Sequence, residues 1–177
     1  MKNNNKNLLW LMRLSSLTIM LAFIAPVMTN AQAGKTNFAG NWTFNAEKST
    51  QPQGGGGGGQ RMGGDVVVAQ EANLLTVTRT RTGQDGQPTT TTLKYTLDGK
   101  ESINTSPRGD SKAVAKWSAD GKTLTVATSR TMDMNGETRT INSSEAWVLT
   151  DAKTLTVTST RQGQDGEVKT SLVYDKK

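Results

Sequence analysis

Hydrophobic and polar residues alternate through most of the chain beyond residue 37, which is typical of β-strands that turn one face toward a core. The alternation is clearest in a phrase that occurs three times, Leu-Thr-Val followed by Thr or Ala, beginning at Leu75, Leu124 and Leu155. Each copy is followed by a turn and a second alternating run. The pattern predicts ten strands, near residues 38–45, 65–71, 74–82, 89–97, 100–105, 111–118, 123–131, 138–149, 154–161 and 167–174.

Five pairs of Asp or Asn followed by Gly separate these runs. Such pairs supply the positive φ angles of tight hairpin turns, whose twist matches that of the flanking strands. They therefore predict consecutive antiparallel hairpins. The pairs are Asp85-Gly86, Asp98-Gly99, Asp120-Gly121, Asn135-Gly136 and Asp165-Gly166.

The fold class that follows is all-β: an antiparallel up-and-down meander of about eight to ten strands in a single domain, residues 34–177. Closure into a barrel would remove the exposed edges that a long meander otherwise presents. An open, strongly curved sheet or a two-sheet sandwich also fits the pattern. No helix is predicted in this part of the chain.

Residues 1–33 have the features of a signal peptide. Lys2, Lys6 and Arg13 precede an apolar stretch, and Ala31-Gln32-Ala33 is a small-residue cleavage site. An uncleaved N-terminal anchor is the alternative. Because the chain has no cysteine, it cannot be a lipoprotein anchored through one. We expect a periplasmic or extracellular protein that does not remain inserted in a membrane after cleavage.

A glycine-rich segment, residues 51–64, interrupts the pattern between the first two predicted strands. Consecutive glycines lose much conformational entropy on ordering and have no side chains to offset that loss. We therefore expect a flexible loop. A phosphate-binding loop would be followed by a helix, whereas a strand is predicted here.

The charge balance does not favour nucleic acid as a partner. The whole chain carries 21 basic and 15 acidic residues, and loss of the three basic residues of the signal segment lowers the net charge from +6 to +3. The remaining lysines and arginines are interspersed with acidic residues, as on an ordinary solvated surface.

The chain has no histidine and no cysteine. This excludes Ser-His-Asp and Cys-His catalysis and the common zinc and haem sites. Glu145 is the one acidic residue that we single out, because it shares a predicted strand face with Trp147. Its other interpretation is a rim charge paired with a basic neighbour. We expect no catalytic activity, no metal and no cofactor.

Four arginines give the sharpest functional hypothesis. Arg81, Arg130 and Arg161 each lie six residues after the Leu of the repeated phrase, on the same face as its Leu and Val, and Arg79 shares that face. If the Leu and Val point inward, these guanidinium groups could bind a carboxylate or phosphate inside the barrel. The alternative is a solvated rim beyond the core.

The aromatic residues fit a core better than a stacking platform, because they occur at alternating strand positions. Two of them, Tyr95 and Trp147, are also included among the candidate ligand-binding residues. Trp10 lies in the predicted signal peptide and is left out. The aromatic residues considered are Trp42, Tyr95, Trp117, Trp147 and Tyr174.

Several short motifs resemble those of lipocalin-like, calycin-type domains secreted by bacteria. Phe38-Ala39-Gly40-Asn41-Trp42 opens the first strand with the Gly-x-Trp of that family. The segments 117–126, 145–147 and 172–176 are similar as well. The resemblance implies an up-and-down barrel with a small-molecule cavity and a large loop after the first strand. The chain departs from animal members in lacking their disulfide and a C-terminal helix.

The sequence thus predicts a non-catalytic, secreted, lipocalin-like protein that binds a small hydrophobic or amphipathic anionic ligand, such as a fatty acid. The alternative is a structural or protein-interaction module of the cell envelope with a filled core and no ligand.

Overall fold

The computed structural model describes residues 34–50, 63–82, 86–106, 109–134, 136–163 and 166–177. The predicted signal peptide, residues 1–33, and most of the glycine-rich segment lie outside the described residues. Within the described residues the regular structure is entirely β, as predicted. No helix in these ranges is long and apolar enough to span a membrane.

Ten strands form, and each corresponds to one of the ten predicted. The three copies of the repeated phrase begin β3, β7 and β9. The ends differ from the prediction by a few residues, mainly because β1, β7 and β8 extend further. The strands are β1 Gly40–Thr50, β2 Val66–Gln70, β3 Leu74–Thr82, β4 Pro88–Thr96, β5 Glu101–Asn104, β6 Ser111–Trp117, β7 Thr123–Met134, β8 Glu137–Asp151, β9 Thr154–Gly163 and β10 Gly166–Lys176.

The backbone angles of the five glycines confirm the predicted turns. All five have positive φ angles, from 68° at Gly121 to 117° at Gly166. A residue with a Cβ atom rarely adopts such angles, so glycine permits these tight reversals. Asp85, Asn135 and Asp165, the first residues of three pairs, lie outside the described residues.

The strands form one antiparallel sheet in the order β4-β3-β2-β1-β10-β9-β8-β7-β6-β5. The two end strands, β4 and β5, are consecutive in the chain, so the sheet curls into a nearly closed barrel. Side chains bridge the seam between them. The buried Asn104 accepts a hydrogen bond from the backbone N–H of Lys94 at 2.7 Å and donates one to its carbonyl oxygen at 3.0 Å. Ser102 Oγ accepts another from the Thr96 N–H at 2.9 Å.

The core consists of the inward-facing residues of all these strands except the short β5. Burial alternates along the strands, as in β3, where Leu75 and Val77 are fully buried and their neighbours Leu74, Thr76 and Thr78 are half-buried. The aromatic residues predicted for the core lie there: Trp42, Tyr95, Trp147 and Tyr174 are buried, and Trp117 is half-buried and stacks on Phe38.

Three hairpins, β3–β4, β7–β8 and β9–β10, extend beyond this core at one end of the barrel. There β8 is exposed from Glu137 to Asn142, and β4 is exposed from Pro88 to Thr92. We call this end the mouth. The inward side chains near it are therefore partly solvated, whereas those at the opposite end are packed.

The seam should be sensitive to a single side chain. Replacing Asn104 by Ala removes both hydrogen bonds to Lys94 and leaves its N–H and C=O unpaired. We expect a loss of about 1–3 kcal/mol in the free energy of unfolding, measured by urea denaturation, and faster hydrogen exchange at the Lys94 amide. Asn142→Ala, at an exposed position of β8, serves as the control. Equal stability of the two variants would show that Asn104 does not hold the seam.

Candidate ligand-binding site

An ion pair crosses the interior of the barrel. Arg79 Nη2 donates a hydrogen bond to Glu145 Oε2 at 2.8 Å. Arg79 belongs to β3 and Glu145 to β8, which are the second and seventh of ten strands in the sheet order. Because these positions lie half a circumference apart, the two side chains meet across the interior rather than along one wall.

Trp147 supports both members of the pair. Its indole Nε1 donates to the same Glu145 oxygen at 3.1 Å, and the guanidinium of Arg79 lies over its ring, 5.6 Å from the centroid. Glu145 and Trp147 are two residues apart on β8, so both project inward and lie side by side. The ring itself is fully buried and packs edge-on against Phe38.

Burial and charge act in opposite directions on Arg79. Its side chain is 10% exposed, and its Nε atom has neither a hydrogen-bond partner among the described residues nor contact with solvent. Burial by itself lowers the pKa of Arg79, but the charge of Glu145, the two nearby tyrosines Tyr174 and Tyr95, and the hydrogen bond to Glu145 together outweigh it, so the net pKa is raised. Arg79 therefore stays charged and depends on Glu145 for compensation.

Two tyrosines complete the cluster. Burial raises the pKa of Tyr95 well above its ordinary value, and the charge of Glu145 raises it further. Burial also raises the pKa of Tyr174, while the nearby Arg79 lowers it in part. Both phenols are therefore neutral hydrogen-bonding groups beside the ion pair at physiological pH.

The ion pair divides the barrel into two halves. On the side away from the mouth, the inward side chains are large and fully buried, among them Leu75, Leu124 and Leu155. On the mouth side, the inward positions are mainly polar, and solvent reaches several of them. The pair thus forms a charged floor between a packed core and an accessible upper interior.

The other predicted arginines lie above this floor. The strand registers of β3, β7 and β9 run without a bulge through Arg81, Arg130 and Arg161, so all three occupy the inward face of their strands. Arg81 and Arg161 are nevertheless exposed and Arg130 is half-buried. The arginines therefore face inward on their strands, but they lie at a solvated rim.

Arg81 is the one of these three that joins the cluster. Although solvent reaches it, the surrounding barrel wall desolvates it and lowers its pKa, and the neighbouring charge of Arg79 lowers that pKa further. Two like charges thus lie close together, and one carboxylate, Glu145, pairs with Arg79. The cluster carries one net positive charge.

Apolar side chains also face inward near the mouth. Met132 and Val168 are half-buried, and Ile141 is 40% exposed. The registers place them on the inner faces of β7, β10 and β8, the same faces that carry the arginines. A molecule in the upper interior would therefore touch charged groups at the floor and apolar groups along the wall.

Of the six candidate residues from the sequence, the structure brings Arg79, Arg81, Tyr95 and Trp147 together, whereas Arg130 and Arg161 lie on other walls. Sequence reasoning missed Tyr174 as a member of the cluster. It considered Glu145 and its pairing with a basic residue, but placed that pair at the rim. The alternation along β8 places Glu145 on the inward face. Its partner, Arg79, is identified only when the sheet closes and brings β3 opposite β8.

The chain matches no protein-family model and no curated protein sequence. Its fold is similar to two crystal structures. One is zebrafish ileal bile acid-binding protein complexed with cholic acid, with a TM-score of 0.54 and 17% identity over 79% of this chain and 98% of that one. The other is a point mutant of the fluorescent protein UnaG, with a TM-score of 0.52 and 18% identity over 79% and 96%.

These likenesses and the strand order define the class of fold, a nearly closed up-and-down β-barrel of ten antiparallel strands. At such identities the similarity concerns the fold. The expected lipocalin-like architecture is confirmed at that level.

The buried ion pair should contribute more to stability than an exposed one of the same type. Glu145→Gln keeps the shape of the side chain but leaves Arg79 as an unpaired buried charge, so we expect a loss of about 3 kcal/mol, the low end for a buried pair because Glu145 is 25% exposed. Glu137→Gln breaks the exposed pair with Arg139, at 2.9 Å, and should cost less than about 0.5 kcal/mol. Chemical denaturation of both variants measures the difference. Similar losses would mean that Arg79 does not depend on Glu145.

The chain's only two tyrosines allow an optical test of the cluster. Because the pKa values of Tyr95 and Tyr174 are both raised in the folded state, folding favours the neutral phenols. This stabilisation is fully present below the ordinary pKa near 10 and is lost as the pH rises above it. Tyrosinate absorbance at 295 nm should therefore appear only together with loss of the circular dichroism of the fold. Half-ionisation near pH 10 with the fold intact would contradict the buried assignment.

Proposed function

We propose that this protein is a non-catalytic carrier or sensor that binds a small apolar or amphipathic anionic ligand in the upper interior of its barrel. The observation that carries the proposal is the cluster of one carboxylate, Glu145, and two guanidinium groups, Arg79 and Arg81, which faces an upper interior that is open to solvent. The ligand's anionic head lies against Arg81 and the floor. Its apolar body extends toward the mouth along Ile141 and Val168.

The charge of the cluster supports an anion. A second guanidinium beside Arg79 is electrostatically unfavourable unless a negative group joins it. A carboxylate suits this role, since arginine binds it through parallel N–H donors. Arg130 and Arg161 add to the positive potential that such a ligand meets on entering the mouth.

The similar structures support a binding role, because one of them is named as a bile acid-binding protein and contains cholic acid. The apolar wall residues at the mouth support an amphipathic ligand over a simple inorganic anion. A fatty-acid-like molecule combines both requirements. Nothing in this proposal uses a metal, a cofactor or nucleic acid.

One observation favours the alternative, a structural or interaction module of the cell envelope. The half of the barrel away from the mouth is filled by its own side chains, including Leu75, Trp147 and Leu155, all with 0% exposure. A ligand must therefore fit in the upper half alone. Binding within that half distinguishes the two functions.

Export is part of the proposal. The basic start, the apolar stretch and the Ala31-Gln32-Ala33 site support cleavage before Gly34. The mature barrel then works in the periplasm or outside the cell, where it would meet amphipathic molecules.

Native mass spectrometry of protein expressed and exported in a bacterial host tests the function. We expect a mass that begins at Gly34, with a second population carrying an added mass of lipid size. Arg81→Gln combined with Arg161→Gln removes charge-assisted hydrogen bonds, each of which contributes about 1.5–3 kcal/mol, so the added mass should disappear. Lys112→Gln, on the exposed face of β6, should retain it. Bare protein in every preparation would favour the envelope module.

A further inference from the structure

The charged floor presents an acceptor, rather than a donor, to the upper interior. Glu145 is 25% exposed and Arg79 only 10%. Trp147, the next inward residue of β8 away from the mouth, has 0% exposure, so solvent reaches Glu145 from the mouth side. A ligand resting on the floor therefore meets the carboxylate before it meets the guanidinium of Arg79.

One oxygen of that carboxylate is already engaged and the other is available. Oε2 accepts the hydrogen bonds from both Arg79 and Trp147. Among the described residues, no further donor meets Oε1. A carboxylate oxygen accepts up to two hydrogen bonds, so Oε1 offers a strong acceptor to a ligand.

A plain carboxylate ligand satisfies only part of this site. Its negative charge is attracted to Arg81 but repelled by Glu145, which lies close enough to Arg81 to influence its pKa. A hydroxyl or amino group a few bonds from the carboxylate offsets this repulsion, because it donates to Glu145 while the carboxylate binds Arg81. Charge-assisted hydrogen bonds of this kind are about twice as strong as neutral ones.

We propose that the site selects amphiphiles whose headgroup carries a hydrogen-bond donor beside the carboxylate, as in a 3-hydroxy fatty acid. Glu145 accepts the hydrogen bond from this donor, and Arg81 binds the carboxylate. This inference rests on the proposed function and makes it more specific. It assigns different tasks to two residues of one cluster. Arg79 and Trp147 act as positioning residues that hold the Glu145 carboxylate in place.

The two neutral phenols are compatible with this arrangement. The charges of Arg79 and Glu145 both affect the pKa values of Tyr95 and Tyr174, so the two tyrosines lie near the proposed position of the headgroup. A neutral phenol donates or accepts as required. They therefore add affinity for polar headgroups in general, whereas the single negative charge of Glu145 discriminates between donors and non-donors.

Isothermal titration calorimetry with tetradecanoate and 3-hydroxytetradecanoate, both below the concentration at which they aggregate, tests the inference. We expect the wild-type protein to bind the hydroxy acid about tenfold more tightly, the equivalent of one charge-assisted hydrogen bond. In Glu145→Gln the preference should fall to about twofold or less, because the ligand hydroxyl then donates to a neutral amide oxygen instead of a carboxylate. In Arg81→Gln both acids should bind more weakly, with the preference retained. Glu137→Gln, the matched exposed variant, should behave like the wild type.

A third ligand keeps the test independent of variant folding. The compound 3-methoxytetradecanoate has the oxygen but no donor, so the wild-type protein should bind it no more tightly than tetradecanoate. Equal affinity of the wild type for the hydroxy acid and tetradecanoate, or an equal loss for both in Glu145→Gln, would overturn the inference and leave the proposed function intact. If neither acid binds, the proposed function itself fails.

Discussion

The ion pair between Arg79 and Glu145 determines how the interior of this barrel is used. It joins opposite walls, so it fixes the distance between β3 and β8 as no hydrogen bond within the sheet could. Because both charges are largely removed from water, each requires the other. The packed core therefore ends at this level, and the inward positions beyond it are open to solvent and to a ligand.

The repeated hairpin accounts for the rest of the architecture. Each copy starts with a Leu-x-Val segment that packs into the core and continues as a polar segment that projects beyond it. Since three copies occur on β3, β7 and β9, three walls rise above the floor and each brings an arginine to its inner face. The hairpin repeat that builds the fold thus also places several positive charges around the mouth.

The ten strands, their turns and the inward face could be predicted from the sequence, because alternation and Asx-Gly pairs are local signals. The different environments of the arginines could not. Arg79 and Arg161 both share the face of their core residues, yet only Arg79 lies opposite Glu145, 66 positions away in the chain. That relation depends on closure of the meander into a barrel, which the alternation of residues along the chain does not determine. The role of Asn104 is hidden for the same reason.

The seam between β4 and β5 has a consequence for the size of the barrel. Two neighbouring strands joined by a backbone ladder are held at a fixed spacing, whatever their side chains, since the backbone is common to all residues. Here Asn104 and Ser102 span the junction instead. The circumference is thus set in part by the length of two side chains. We therefore expect a substitution at either position to alter the width of this junction, and with it the circumference of the barrel.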